Sequence, residues 1–343
     1  MNRRRILLVA YQCGPGMGSV SQIGWEWYAR LCQTHEVTLL THSRNRAALA
    51  SVGAPLAGGE ILEVDTEWFA GPLYRLARWI FPRSEHCVFI MSSLDYFVFD
   101  RAAYRVLRQR LSDGQRWDLL HRVTPVTLAA PTWLGRLGIP TIIGPLNCGL
   151  GDPPGFDAIL RQESTWFVKV RELGRCFDSL IGSSHHARRI LAATSATLRS
   201  IASKYQKKCI PMLENGVDTD QFNASDWPPL DDGVSILFVG RLIPAKALTL
   251  LLDALAELKR QGILMVLEVI GDGPLRNEWE AYSRKLGLSD TVHFRGSQPA
   301  LAVAEAMRRA HVFCLPSVRE SGGAVLLGKR RSEAVLQSDF EVV

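Results

Sequence analysis

Val234-Ser-Ile-Leu-Phe-Val-Gly-Arg-Leu-Ile-Pro-Ala-Lys246, VSILFVGRLIPAK, is the stretch that decides the fold. Its first six residues form a short, nearly continuous apolar run that stops at Gly240. Such a run, bounded by glycine, reads as a strand buried on both faces, as in a parallel sheet. Just downstream, Leu248, Leu251, Leu252, Leu255 and Leu258 recur at helical spacing. Strand, glycine, loop and helix make the opening half of a βαβ unit. Arg241 and Lys246 flank the turn. Two cations and a helix N-terminus thus converge where a phosphate would sit, with arginine able to grip it bidentately and lysine adding a mobile charge. The competing reading is two surface charges on an ordinary loop.

The pattern continues in both directions. Downstream, Met265–Gly271, Val292–Arg295 and His311–Leu315 read as strands with helices between them. Upstream, Arg5–Ala10 reads as a buried strand, followed by the loop Gly14-Pro-Gly-Met-Gly18 and a helix through Trp25–Tyr28. Val37–Thr41, Asp118–His121, Pro140–Gly144 and Ser179–Ser183 complete the first series of strands. The polar stretch rich in Asp and Pro before Val234 reads as a connector. The expectation is an α/β chain with two Rossmann-like domains, residues 1–213 and 234–343, joined by a connector over 214–233. The second domain is expected to be incomplete, because a full half of this kind has about six strands.

Composition narrows the function classes. The chain has 343 residues, 47% hydrophobic and 22% charged, which suits two globular domains. A formal charge of +6 fits an anionic ligand or an acidic membrane surface, while the lack of a long Lys/Arg run weighs against nucleic acid. Seven scattered cysteines without a C-x-x-C pair argue against a disulfide framework or a zinc site and for a reducing cytoplasm. The apolar run Ile6–Ala10 is too short for a signal sequence, and no apolar stretch is long enough to span a bilayer.

Two further loops follow strands. In Gly271-Asp-Gly-Pro274, glycine allows an unusual turn and Pro274 suits the first helical position. In Leu315-Pro-Ser-Val-Arg-Glu-Ser-Gly-Gly323, Glu320 precedes small residues that open a helix. A carboxylate there can accept hydrogen bonds from sugar hydroxyls while the loop amides face a ligand. The alternatives are a tight turn in the first case and a solvated glutamate in the second.

Taken in order, FVGRLIPAK, EVIGDGPLR, VHFRG and AEAMRRAHVFCLPSVRESGGAVLL resemble the donor-binding domain of the group 1 (family 4) glycosyltransferases, which have the GT-B fold. ENGVD, Glu214 to Asp218, resembles that family's domain junction. The loop Gly14–Gly18 resembles the one near the donor diphosphate and the acceptor, and DLLHRVTP, IPTIIGPLNCG and IGSSHHARR fall where related segments occur. The resemblance covers roughly residues 5 to 327. It implies transfer of a sugar from a nucleoside diphosphate sugar to an acceptor, retaining and metal-independent, in polysaccharide or glycolipid synthesis. It implies no cofactor beyond the nucleotide-sugar co-substrate. It assigns catalytic positions to Arg241, Lys246 and Glu320. It assigns donor binding to Gly16, Gly18, Gly240, Gly271, Asp272, Gly273, Ser321, Gly322 and Gly323. The acceptor would be a sugar, a lipid-linked sugar or a polysaccharide, and the enzyme cytoplasmic, with peripheral contact at the inner face of the membrane.

The departures from the family are specific. A second glutamate, expected to hold the nucleotide ribose, is replaced by Gly328, and the sequence beyond it loses the likeness abruptly. A frameshift or truncation near that codon is the expectation, with a catalytically impaired remnant as the alternative to an active transferase. Ala247 stands where glycine is common, and Val123 where many members have a second histidine after His121. Asp218-Thr-Asp220 reads as a turn rather than a metal motif, and His185-His186 as neighbours facing different ways on a helix. A nicotinamide-dependent oxidoreductase is a further alternative, with Arg44 meeting a 2′-phosphate, but Gly14, Gly16 and Gly18 do not give G-x-G-x-x-G. Glu67–Arg83 mixes aromatics with Arg75, Arg78 and Arg83. It reads either as a segment lying in a lipid interface or as a helix packed on its own domain.

Overall fold

The computed structural model describes residues 3–82, 88, 91–149, 153–156, 178–216, 222, 233–318 and 320. These residues fall into two compact units. The first lies within Met1–Leu150 and Ser164–Glu214, the second within Gly151–Glu163 and Asn215–Val343.

Among the described residues, the first unit carries seven strands: β1 (Arg5–Ala10), β2 (Glu36–His42), β3 (Gly59–Val64), β4 (Leu119–Thr124), β5 (Thr141–Leu146), β6 (Arg189–Ala192) and β7 (Cys209–Pro211). Its helices are α1 (Ser19–Cys32), α2 (Arg46–Ser51), α3 (Glu67–Ile80), α4 (Asp95–Ser112), α5 (Ser183–His186), α6 (Ser195–Ser200) and α7 (Ser203–Gln206). The sheet is parallel in the order β3-β2-β1-β4-β5-β6-β7. The period of two explains why β1 reads as unbroken apolar sequence. Leu7 and Val9 join a core with Phe99 and Leu107 of α4. Leu8 and Ala10 point the other way, into a core with Ile23 and Tyr28 of α1.

The second unit repeats the plan. Its strands are β8 (Val234–Val239), β9 (Met265–Ile270), β10 (Val292–Gly296) and β11 (Val312–Phe313), parallel in the order β10-β9-β8-β11. Its helices are α8 (Leu248–Arg260), α9 (Arg276–Lys285) and α10 (Ala300–Arg309). Ile236 and Phe238 pack with Leu248, Leu251, Leu252 and Leu255 of α8. Leu237 and Val239 pack with Ala306 and Met307 of α10.

Four elements differ from expectation. The stretch Ser179–Ser183 is not a strand: residues 178–181 are helical. Gly182 N donates to Asp178 O at 2.7 Å and Ser184 N to Asp178 Oδ1 at 3.1 Å, so local capping outweighs the short apolar run. The strand lies later, at β6. β3 and β7 were not foreseen, and β11 is shorter than the His311–Leu315 run suggested.

Candidate functional site

In each sheet the chain runs outward on one side of its first strand and then returns to the other side. The order reverses between β1 and β4 in the first unit and between β8 and β11 in the second. Open α/β sheets bind ligands in that crevice, beyond the carboxyl ends of the strands.

At the second reversal, Lys246 and Glu320 meet. The Lys246 ammonium forms an ion pair with Glu320 Oε2, with side-chain exposures of 18% and 25%. Ser317 Oγ donates to the same carboxylate oxygen at 3.3 Å. The backbone fixes the two supporting segments: Cys314 N donates to Leu237 O at 2.9 Å, and Val318 N to Ala245 O at 2.9 Å. Arg241 leaves the end of β8 exposed to solvent and makes no side-chain ion pair among the described residues. The N-terminus of α8 follows directly after Lys246. The result is a half-buried lysine paired with a carboxylate, a helix N-terminus next to that lysine and an exposed arginine earlier in the same loop, a setting able to receive an anion.

Ala247 explains the departure noted in the sequence. It adopts φ 46° and ψ 39°, and is the non-glycine residue of the described chain with positive φ. Glycine suits that conformation, which costs other residues about 1–2 kcal/mol. Its methyl group is buried with Ala245, Val318 and Phe156, which offsets part of the strain.

The other predicted glycines divide into two groups. Gly271, at φ 138°, passes so close to the loop after β8 that a Cβ would lie 1.9 Å from Gly240 O. A Cβ on Gly273 would lie 2.5 Å from Leu242 O. The two loops are joined by backbone hydrogen bonds, Gly240 N to Ile270 O and Leu242 N to Asp272 O, both 3.0 Å. Gly240 itself has room for a side chain, with no contact nearer than 3.7 Å. The Asp272 carboxylate accepts from Gly273 N at 2.7 Å and from Arg276 at 3.0 Å. The backbone hydrogen bond, helped by Arg276, holds it below the usual carboxylate range. Its oxygens therefore serve the start of α9. Ser321, Gly322, Gly323, Gly328 and Asp218-Thr-Asp220 lie outside the described residues.

The first unit's reversal is differently built. Thr124 Oγ1 accepts from Gln12 N at 3.1 Å and donates to Gln12 O at 3.0 Å, tying the ends of β1 and β4 together. Gly16 and Gly18 have φ of 73° and 109°, and Gly18 caps α1. Above both there is open space. His121, on β4, is 3% exposed; its Nε2 donates to Gly144 O at 2.8 Å and its ring meets Trp27 edge to face. Burial pushes its pKa down to about 4, so it is a neutral, structural imidazole near neutral pH. Val123 is fully buried.

Sequence reading missed a polar network at the ends of β1, β2 and β3. Asp95 accepts from Tyr11 Oη at 2.7 Å, Arg44 at 2.7 Å and Thr66 at 2.9 Å. Arg44 also pairs with Glu67 at 2.9 Å. Arg44 is therefore committed to two carboxylates, which counts against its reading as a 2′-phosphate ligand. His185 and His186 do not face apart: their rings meet edge to face at 5.0 Å, because α5 is a single turn ending in extended Ala187. Among the described residues, no group of three His, Cys, Asp or Glu side chains is placed to hold a metal ion.

The folding pattern is that of GT-B structures. Sucrose-phosphate synthase from Thermosynechococcus elongatus is similar with a TM-score of 0.59 and 17% identity, over 95% of this chain and 79% of that one. Anabaena HepE, solved with UDP and glucose, gives 0.54 and 14%, over 95% and 78%. Residues 221–328 match the family described as glycosyl transferases group 1. The D-inositol 3-phosphate glycosyltransferase of Kribbella flavida is 34% identical over 160 residues, 41% of this chain. The 2-deoxystreptamine glucosyltransferase of Streptomyces kanamyceticus is 29% identical over 143 residues, 39% of this chain. The matched stretches span 38% and 37% of those relatives' lengths.

Proposed function

We propose that the protein is a glycosyltransferase that moves a sugar from a nucleoside diphosphate sugar to an acceptor hydroxyl. The meeting of Lys246 and Glu320 at the strand-order reversal, with exposed Arg241 earlier in the same loop, carries the reading. In the transfer, the bond between the anomeric carbon and the diphosphate oxygen breaks, and charge accumulates on the departing diphosphate. Arg241 and Lys246 stabilise that charge in place, a role that needs no metal ion. Diphosphate binding draws Lys246 away from Glu320 and frees the carboxylate to accept hydrogen bonds from sugar hydroxyls. Retention of anomeric configuration goes with this reading through the family resemblance alone.

The relatives' names span a phosphorylated, a lipid-borne and an aminocyclitol compound, the last being 2-deoxystreptamine. One is named for D-inositol 3-phosphate, and another is a phosphatidylinositol N-acetylglucosaminyltransferase subunit from Arabidopsis thaliana. A sugar, lipid-linked or polysaccharide acceptor and a cytoplasmic enzyme with peripheral membrane contact complete the proposal. No helix among the described residues is long and apolar enough to cross a membrane.

A catalytically impaired form is the second reading, favoured by Gly328 at the position of the family's second glutamate. One experiment separates the two. The full chain is incubated with UDP-, GDP- and ADP-sugars, and released nucleoside diphosphate is measured with and without candidate acceptors. Release from one donor above the protein-free rate supports the active enzyme. Binding of a nucleoside diphosphate with no release supports the impaired form, and neither binding nor release overturns both.

A further inference from the structure

An exposed apolar surface of the first unit lies on α3. Ala70 and Ala77 are buried, with Phe69 and Leu73 half-buried beside them, and this face packs inward. On the opposite face, Trp68 is 73% and Trp79 78% exposed. At about 100° per residue, Trp68, Arg75 and Trp79 fall within roughly 40° of one another around the helix axis. The outermost line of α3 thus reads Trp, Arg, Trp. Tyr74, Leu76 and Ile80 flank it, each at least 45% exposed, with Arg78. Water is a poor environment for two indoles presented this way, and such a surface marks an interaction site.

The patch continues onto α4. Trp68 also lines an open groove of about 520 Å³ with Phe97, Ala102 and Trp133, and Arg101 and Arg105 of α4 stand in the same lining. Arg75, Arg78, Arg101 and Arg105 have no ion-pair partner among the described residues. Exposed aromatics beside unpaired arginines match an interface whose interior is apolar and whose rim is anionic.

We propose that the first unit docks on an anionic lipid bilayer through α3. Trp68 and Trp79 enter the boundary between headgroups and acyl chains, where indoles are favoured because one edge is apolar and the N–H remains wet. Arg75 and Arg78 meet lipid phosphates, joined by Arg101 and Arg105 at the groove. The inference rests on the peripheral membrane contact in the proposed function and names its surface; docking is read with no donor present, so its failure is distinguishable from a failure of glycosyl transfer.

The test is co-sedimentation of the full chain with vesicles of phosphatidylcholine alone or with about one-third phosphatidylglycerol, at about 0.1 M salt. The expected result is binding to the anionic vesicles about tenfold tighter or more, weakened by added salt. The double variant W68S/W79S and the double variant R75E/R78E should each lose about tenfold or more, with melting temperatures near the parent's because these side chains are exposed. Equal binding to both vesicle types, or full binding by either folded variant, overturns the proposal. So does self-association of the parent chain without vesicles that W68S/W79S abolishes, which would assign the face to a second copy.

Discussion

The two units share one plan and use it differently. Each has a parallel sheet whose strand order reverses beside its first strand. In the first unit the crevice is closed by neutral hydrogen bonds between Gln12 and Thr124, and nearby charges are already paired, Arg44 with Asp95 and Glu67. In the second unit the crevice carries an exposed arginine and a lysine–glutamate pair that a stronger anion can open. The same topology thus recurs in both units, and among the described residues the second crevice presents an exposed arginine while the first pairs Arg44 and buries Arg122. Fold and chemistry are separable, and the latter rests on a few side chains.

Predictions can break that comparison, from the largest effect downward. Lys246→Ala should reduce donor turnover by about 10²- to 10³-fold, while stability changes by under about 1 kcal/mol because the pair is only half-buried. Arg44→Ala should do the reverse: it leaves Asp95 buried without its cation, destabilising the first unit by about 3 kcal/mol, with donor binding retained. If Arg44→Ala abolishes nucleotide binding in a folded protein, the division of labour between the units fails.

Next come the glycines. Gly271→Ala should destabilise the second unit by about 3 kcal/mol or more, since the new methyl would overlap Gly240 O. Gly240→Ala should cost under about 1 kcal/mol, as its surroundings are at ordinary contact distance. Denaturant melts of the two variants make the comparison direct, and equal losses would contradict the loop geometry.

The first unit also has a pH signature. His121 is held neutral by burial, with its pKa pushed down to about 4. The unfolded chain binds that proton below about 6.5, so His121 removes stability as pH falls from about 6.5 to 4. Asp100 is buried, and desolvation raises its pKa to about 6 despite hydrogen bonds from Thr132 and Trp133 N. At about 1.4 kcal/mol per pH unit, it costs roughly 3 kcal/mol at neutral pH, and that cost is relieved as pH falls from about 6 to 3.8. The two effects oppose each other over the same window. Asp100→Asn removes one of them, so stability should fall by about 3 kcal/mol more than in the parent between pH 6 and 4. Parallel stability curves for the two proteins would show that the pair does not compensate.

The smallest effect belongs to Ala247→Gly. Relief of the left-handed backbone, about 1 kcal/mol, is set against loss of a buried methyl, about 0.8 kcal/mol. A melting temperature within a few degrees of the parent is expected, and a large loss would mean that the methyl packing dominates.

Much of this was legible in the sequence where information is local. The strands β1 and β8 announce themselves because consecutive apolar residues, Ile6–Ala10 and Ile236–Val239, are buried on both faces. Ser179–Ser183 misled because a short apolar run has no periodicity of its own, and Asp178 and Gly182 turn it into a capped helical turn. β3 was missed because it is an edge strand whose glutamates interrupt the run. The place of Arg241 and Lys246 in the loop after a buried strand was legible. The contact of Lys246 with Glu320 was not, because it depends on β11 returning beside β8, a non-local fact of strand order. The Asp95 network was invisible for the same reason: its members come from four separate elements.

The central claim is that the second unit's crevice binds a nucleoside diphosphate through Arg241 and Lys246. Calorimetric titration of UDP and GDP into the parent chain, Arg241→Ala and Lys246→Ala tests it most directly. The account predicts saturable binding of one nucleotide by the parent and a loss of about tenfold or more in each folded variant. Equal affinity in all three proteins would contradict it.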